Sequence, residues 1–148
     1  MIDNQLMLYY FFYRELDYNL ASISQTIYAM ITQYEVPGYL TQVLPAFASQ
    51  PQLGSIGMNL YKELQHFTEY TRKAIEEHNY VLAKRCFRLA GKLYEQGDVV
   101  VQNAIDNVFV YAFTSFFPHE DVEKAIVKSI IPASLYALYI KQITRNDC

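Results

Sequence analysis

A glutamate and a histidine near the middle of the chain have the spacing of a metal-binding pair. Glu63 and His66 form a Glu-x-x-His sequence, and two such pairs on facing helices, with two further carboxylates, hold the metals of di-iron helical bundles. The sequence contains one such pair, and the spacing of Leu60, Leu64 and Phe67 predicts that the helix buries those residues and leaves Glu63 outside. We therefore expect a histidine at the solvent boundary, no metal site and no cofactor.

A thiol is the second reactive group whose position can be interpreted. Cys86 would need a neighbouring histidine or a helix N-terminus to lower its pKa and become a nucleophile. Its place in the middle of a helix, beside an apolar stripe, predicts a buried and unreactive thiol instead. The sequence also lacks the glycine-containing motifs of serine hydrolases, phosphate-binding loops and dinucleotide sites. We expect no catalytic residues and no enzymatic activity.

A group of cations provides the clearest recognition chemistry in the sequence. Residues three and four apart share one face of a helix, and this spacing places together Lys84, Arg85, Arg88 and Lys92. No acidic residue follows before Glu95. The group favours the docking of an acidic partner or an anion. The alternative is an ordinary solvated face that acids of a neighbouring helix, such as Glu76 and Glu77, partly neutralise.

Aromatic residues are unusually frequent, with 14 Tyr and nine Phe but no Trp. Residues 9–13 are all aromatic, and on one helix five consecutive side chains point in every direction. One core cannot cover all of them, so either neighbouring helices or a second subunit must do so. We predict partner contacts at Tyr9, Tyr10 and Tyr13, in addition to the four cations.

The elements that must position these residues are helices. Apolar residues recur three or four apart along nearly the whole chain, without sustained alternation, which predicts a single all-α domain over residues 1–148. We expect six or seven helices, arranged either as a compact bundle or as a short stack of antiparallel hairpins. Aromatic-rich helices occupy residues 1–35 and end at Pro37. A hairpin core occupies residues 56–148, with the strongly apolar helix after Asp98 at its centre.

The segment between these two regions, residues 36–61, contains Pro and Gly but no charged residue. A short helix is predicted around residues 39–48, because Leu40, Val43, Leu44 and Phe47 would share a face. The segment either folds over the bundle and closes its core, or forms an apolar and amide-rich surface for a partner.

Three runs in the C-terminal two-thirds carry a resemblance to a known family. They are NLYKELQHFTEYTRKAIEEHN, KRCFRLAGKLYEQGD and VQNAIDNVFVYAF. From about residue 56 to 148 the chain resembles an uncharacterised bacterial family of small all-helical proteins, a domain of unknown function. The resemblance implies an all-α fold and supplies no catalytic residues.

Composition narrows the classes of function. A formal charge of −3 argues against a nucleic-acid binder, which needs a cationic surface. The apolar run at residues 6–13 is too short to cross a bilayer, and no basic segment precedes it as in a signal peptide. The positions of the two cysteines do not indicate a disulfide framework. We therefore expect a cytoplasmic protein without membrane contact. The leading hypothesis is a non-enzymatic interaction module that binds a protein partner or self-associates, most simply as a homodimer. The alternatives are an immunity or antitoxin-like protein and a helical bundle that binds a small apolar ligand.

Overall fold

The computed structural model describes residues 30–48 and 59–146. Counting 99–116 as one continuous helix, these residues form seven helices: α1 (Val36–Val43), α2 (Pro45–Ala48), α3 (Leu60–Glu76), α4 (Tyr80–Gln96), α5 (99–116), α6 (Asp121–Ile130) and α7 (Ala133–Asn146). The predicted all-α class is confirmed. Because α5 packs against both α3 and α4, and α4 also contacts α1, α6 and α7, the arrangement is a compact bundle. The predictions for residues 1–29, including the contacts at Tyr9, Tyr10 and Tyr13, lie outside the described residues.

A tight turn joins α3 and α4 into a hairpin, at the break predicted there. His78 adopts a left-handed backbone with φ of 56°, which allows the N–H of Asn79 to reach back to the carbonyl of Ala74 at 2.8 Å. The side chain of Asn79 then caps α4 by accepting a hydrogen bond from the N–H of Leu82 at 3.2 Å. One residue therefore ends the first helix of the hairpin and starts the second.

The centre of the bundle is a cluster of phenylalanine rings around α5. Phe109 is fully buried and stacks on Phe67 of α3, with ring centroids 5.0 Å apart. It also meets Phe87 of α4 edge-on, at 5.8 Å, and Phe113 and Phe116 further along α5, each at 5.7 Å. The central position predicted for this helix is confirmed. A turn of π-helix over Ile105–Phe109 and a 3-10 turn over Val110–Ala112 interrupt its otherwise α-helical course.

Pro37 has a different role from the predicted one. We expected the N-terminal helices to end there, but the described residues before it are not helical, and α1 begins at Val36 with Pro37 in its first turn. Proline is tolerated in the first turn because its missing N–H would have no partner within the helix. In this chain Pro37 starts a helix.

The strand-like stretch before α1 pairs with the connection between α4 and α5. Ile31 donates to the carbonyl of Gln96 at 2.8 Å and accepts from the N–H of Asp98 at 2.9 Å, on either side of Gly97. A Cβ added at Gly97 would lie 2.6 Å from Cγ1 of Val101. The backbone of Gly97 is extended, with φ of −74° and ψ of 155°, a conformation that any residue can adopt. Glycine is therefore required at this position because of the close approach and not because of its backbone angles. The predicted cap at Asp98 is confirmed by its bond from the N–H of Val101, at 2.9 Å.

Candidate functional site

The predicted cations lie on the solvent-facing side of α4. The side chains of Lys84, Arg85, Arg88 and Lys92 are all exposed, and α4 is regular α-helix from Tyr80 to Gln96. With a rise of about 1.5 Å per residue, positions four apart follow one another at intervals of roughly 6 Å along the helix. We call these four side chains the basic face. The structure brings them together as the spacing predicted.

The acids expected to neutralise the basic face are engaged elsewhere or make no ion pair with it. Glu77 lies 3.8 Å from the ammonium group of Lys73 on its own helix, and Glu95 accepts a hydrogen bond from Ser134 at 2.9 Å. Within residues 30–48 and 59–146, none of the ion pairs within 4.0 Å includes a cation of the basic face. Glu76 likewise has no such contact with it.

The helix α1 flanks the basic face, and neither it nor α2 carries a charge. The ammonium group of Lys92 lies 4.9 Å from the centre of the Tyr39 ring of α1, within the range of a cation–π contact. Desolvation and the nearby Cys86 raise the pKa of Tyr70 on α3, and the positive charge of Arg85 partly opposes this shift. Phe47 of α2 packs on the same Tyr70 ring at 5.2 Å.

The described half of the uncharged segment closes the core. Of the face predicted for a helix near residues 39–48, Leu40, Leu44 and Phe47 are at most 1% exposed, whereas Val43 is half-buried. Val36 is also fully buried. Of the two interpretations left open by the sequence, core closure is correct for residues 36–48. Because residues 36–48 contain no carboxylate, this part of the chain supplies no acidic neighbour to the cations of α4.

Glu63 corrects the sequence interpretation of α3. It was expected outside the buried face, but it is only 6% exposed. The buried surface of α3 is wider than the stripe of Leu60, Leu64 and Phe67, and position 63 lies on that wider surface because it is three residues from Leu60 and four from Phe67. Burial raises the pKa of the Glu63 carboxyl to about 7. His66 is half-buried, and no three His, Cys, Asp or Glu side chains among the described residues meet to hold a metal ion.

The thiol of Cys86 is fully buried, as the sequence predicted. Burial raises its pKa to about 11, despite the smaller opposing effects of a hydrogen bond with Thr71 and the charge of Arg85. At neutral pH the group is therefore a thiol, and the nucleophilic thiolate is not formed to any useful extent.

A polar cluster that sequence reasoning missed lies where the α3–α4 turn meets α6. Nδ1 of His78 lies 3.2 Å from Oε1 of Glu123 and 3.2 Å from the hydroxyl of Tyr80. These groups adjoin an open groove of about 550 Å³ that Ser115 and His119 also line. The cluster draws on separate elements, so no local spacing in the sequence could have predicted it. It joins α6 to the hairpin, and a carboxylate beside Nδ1 favours the tautomer that carries its proton there.

A second groove, of about 520 Å³, lies between α5 and α7 and was also missed. Tyr111 and Tyr139 line it together with Arg72 of α3. The guanidinium of Arg72 already pairs with Glu69 and donates to Ser115 at 2.9 Å. Both grooves are open depressions with mixed polar and apolar walls, unlike the closed apolar pocket expected for a small hydrophobic ligand.

Comparison with known families identifies a family for this chain. The model of the domain of unknown function DUF7674 matches residues 37–145, which confirms the resemblance noted in the sequence and extends it to include α1 and α2. No curated protein and no solved structure matches the chain. Among the described residues, no helix combines the length and the apolar character needed to cross a membrane.

Proposed function

The chain belongs to the family of the domain of unknown function DUF7674, and we propose that it is a non-enzymatic interaction module that docks an acidic protein partner on the basic face of α4. The observation that carries this proposal is the set of four exposed cations on one helix face, without an ion pair in the described part of the chain. A cation that is already paired must lose its partner before it binds another. Among the described residues, none of these four cations has an ion pair to break.

The energy available from the basic face suits a specific but reversible contact. An exposed ion pair contributes about 0.2–1 kcal/mol, so four pairs supply on the order of 1–4 kcal/mol, a factor of roughly five to several hundred in affinity. Complementary charge also accelerates the encounter of the two proteins, by an effect that salt weakens. The proposal therefore predicts strong dependence on ionic strength.

The partner is either a different protein or a second copy of this chain. If it is a second copy, a homodimer is the simplest assembly, and we propose that either interaction takes place in the cytoplasm. The mass of the purified protein, measured by light scattering at low and high salt, distinguishes a self-associating module from one that needs another protein. In a homodimer made by the basic face, the charge-reversal variant described next would be a monomer.

The direct test identifies the partner and then perturbs the basic face. A photo-crosslinking amino acid at Val81, which is 75% exposed and four residues before Arg85 on the same face, would trap the bound protein in the native cell for mass spectrometry. The purified partner is then titrated with the wild type and with Lys84→Glu/Arg88→Glu. We expect the variant to bind at least tenfold more weakly.

The matched control is Lys62→Glu/Lys141→Glu, which changes the net charge equally at two exposed lysines on α3 and α7. It should bind within about twofold of the wild type at moderate salt, where the Debye length is roughly 8–10 Å. Equal losses in both variants would show that net charge alone governs the interaction, and the proposal for the basic face would be rejected.

A further inference from the structure

We infer that the acidic docking segment of the partner is a helix with carboxylates at every fourth residue, which packs across α4. This inference rests on the proposed function, because it specifies the chemistry of the partner at the same basic face. It follows from three properties of that face: the spacing of its cations, its convex shape and its uncharged flank.

The spacing defines a row of charges. Lys84, Arg88 and Lys92 follow one another four residues apart on an unbroken α-helix, so their Cα atoms rise by about 6 Å from one to the next and by about 12 Å overall. A second helix with acids at positions i, i+4 and i+8 has the same rise. Rows of residues four apart are inclined to the helix axis, so the three carboxylates of such a helix follow the three cations when its axis crosses α4 at about −50°.

The shape of the face disfavours a single compact anion such as a phosphate group. A site for one dianion surrounds it with donors whose directions converge, whereas the cations of α4 project outward from the convex surface of one helix. Within the described residues, the charged ends of Lys84, Arg85 and Arg88 have no hydrogen-bond or aromatic contact that would hold them toward a common point. Their arrangement suits several separate carboxylates.

The flank determines the character of the rest of the partner helix. Lys92 leans onto the Tyr39 ring of α1, with 4.9 Å between ammonium and ring centre, so the cation at this end is held next to an uncharged surface. A helix that lies on α4 meets that surface with its neighbouring side. It is therefore acidic toward α4, and neutral on the side toward α1, where a charge would lose water without gaining a partner.

The test compares three synthetic peptides of equal length and equal glutamate content. The first is a stabilised helix with glutamates at i, i+4 and i+8; the second is the same helix with those glutamates distributed around its circumference; the third alternates glutamate with proline and stays extended. Binding to the full chain is measured by fluorescence anisotropy. We expect the first peptide to bind at least tenfold more tightly than either of the others.

A charge-swap measurement locates the bound helix. Arg88→Glu should weaken the first peptide at least fivefold, and replacement of the central glutamate of the peptide by lysine should restore most of that loss on the variant only. Lys62→Glu, outside the basic face, should change the affinity by less than twofold.

Equal binding of all three peptides would overturn the helical register while the proposed acidic docking stands. If a singly phosphorylated peptide binds more tightly than the peptide with the glutamate row, the inference of an acidic helix is wrong and the basic face prefers a compact dianion. Failure of every acidic peptide to bind at low salt would overturn both the inference and the proposed function.

Discussion

Replacement of Glu63 by glutamine tests the buried carboxyl of α3. The side chain is 6% exposed and burial raises its pKa to about 7 from the ordinary value of 4.5. Since the folded state holds the proton of Glu63 more tightly than the unfolded state does, the contribution of this group to stability is most favourable below about pH 4.5 and declines as the pH rises to about 7. The pKa of about 7 in the folded state and the ordinary pKa of 4.5 differ by about 2.5, and at about 1.36 kcal/mol for each pKa unit this lowers the free energy of unfolding by about 3 kcal/mol. Glu63→Gln carries no charge at any pH and should not show this decline.

Urea unfolding, followed by circular dichroism at about pH 4 and pH 8, measures the effect as the free energy of unfolding. The wild type and Glu63→Gln should be similarly stable at the lower pH, and the variant should be more stable by up to about 3 kcal/mol at the higher one. Glu76→Gln, at the exposed last residue of α3, is the control and should follow the wild type at both values. If the advantage of Glu63→Gln is the same at both pH values, the carboxyl does not titrate as its burial implies.

Three further substitutions test the packing of the bundle, each measured as the free energy of unfolding. Phe109→Ala should cost about 3–5 kcal/mol because it removes a ring from the centre of the aromatic cluster; a loss below 1 kcal/mol would show that the cluster collapses to fill the space. Gly97→Ala should cost about 1–3 kcal/mol, since its Cβ overlaps the backbone and side chains around it, and an unchanged stability would contradict this crowding. Gln142→Leu removes the donor to the backbone carbonyl of Asp106 at 2.9 Å and to its carboxylate, and should cost about 1–3 kcal/mol. Gln65→Leu, at an exposed amide, should cost much less, and equal losses would count against the role of that bond.

The sequence was informative about the fold wherever apolar spacing and helix ends act locally. The break at His78 and Asn79, the cap at Asp98 and the central helix all follow from interactions within a few residues, and each is present in the structure. Pro37 was misinterpreted because proline is compatible both with the region after a helix and with the first turn of the next one. In the structure Ile31 pairs with the backbone of Gln96 and Asp98, which are distant in sequence, and so the residues just before Pro37 are held in a non-helical conformation. Such a tertiary contact cannot be read from the local sequence.

The candidate site was predictable in part for the same reason. The basic face lies on one helix, so spacing alone brings its cations together. Whether they are neutralised depends on neighbouring helices, and the sequence could only offer both answers. Glu63 was misplaced because a stripe drawn through three apolar residues underestimates how much of a helix a bundle covers. The contact of His78 with Glu123 joins residues that are 45 positions apart, and no local signal marks it.

The π-helical turn of α5 determines which side chains reach the centre of the bundle. An ordinary helix that continued from Val101 and Ile105 would bring positions 108 and 112 inward, yet those are half-buried and the fully buried residues are Phe109 and Phe113. The wider turn accommodates one additional residue and so shifts the phase of everything after it. Deletion of a single residue from this turn would give a regular helix in which Phe109 and Phe113 take positions 108 and 112, so both benzyl groups would still reach the core. The packing of the rings therefore depends on which residues follow this turn, and not on the exact number of residues within it.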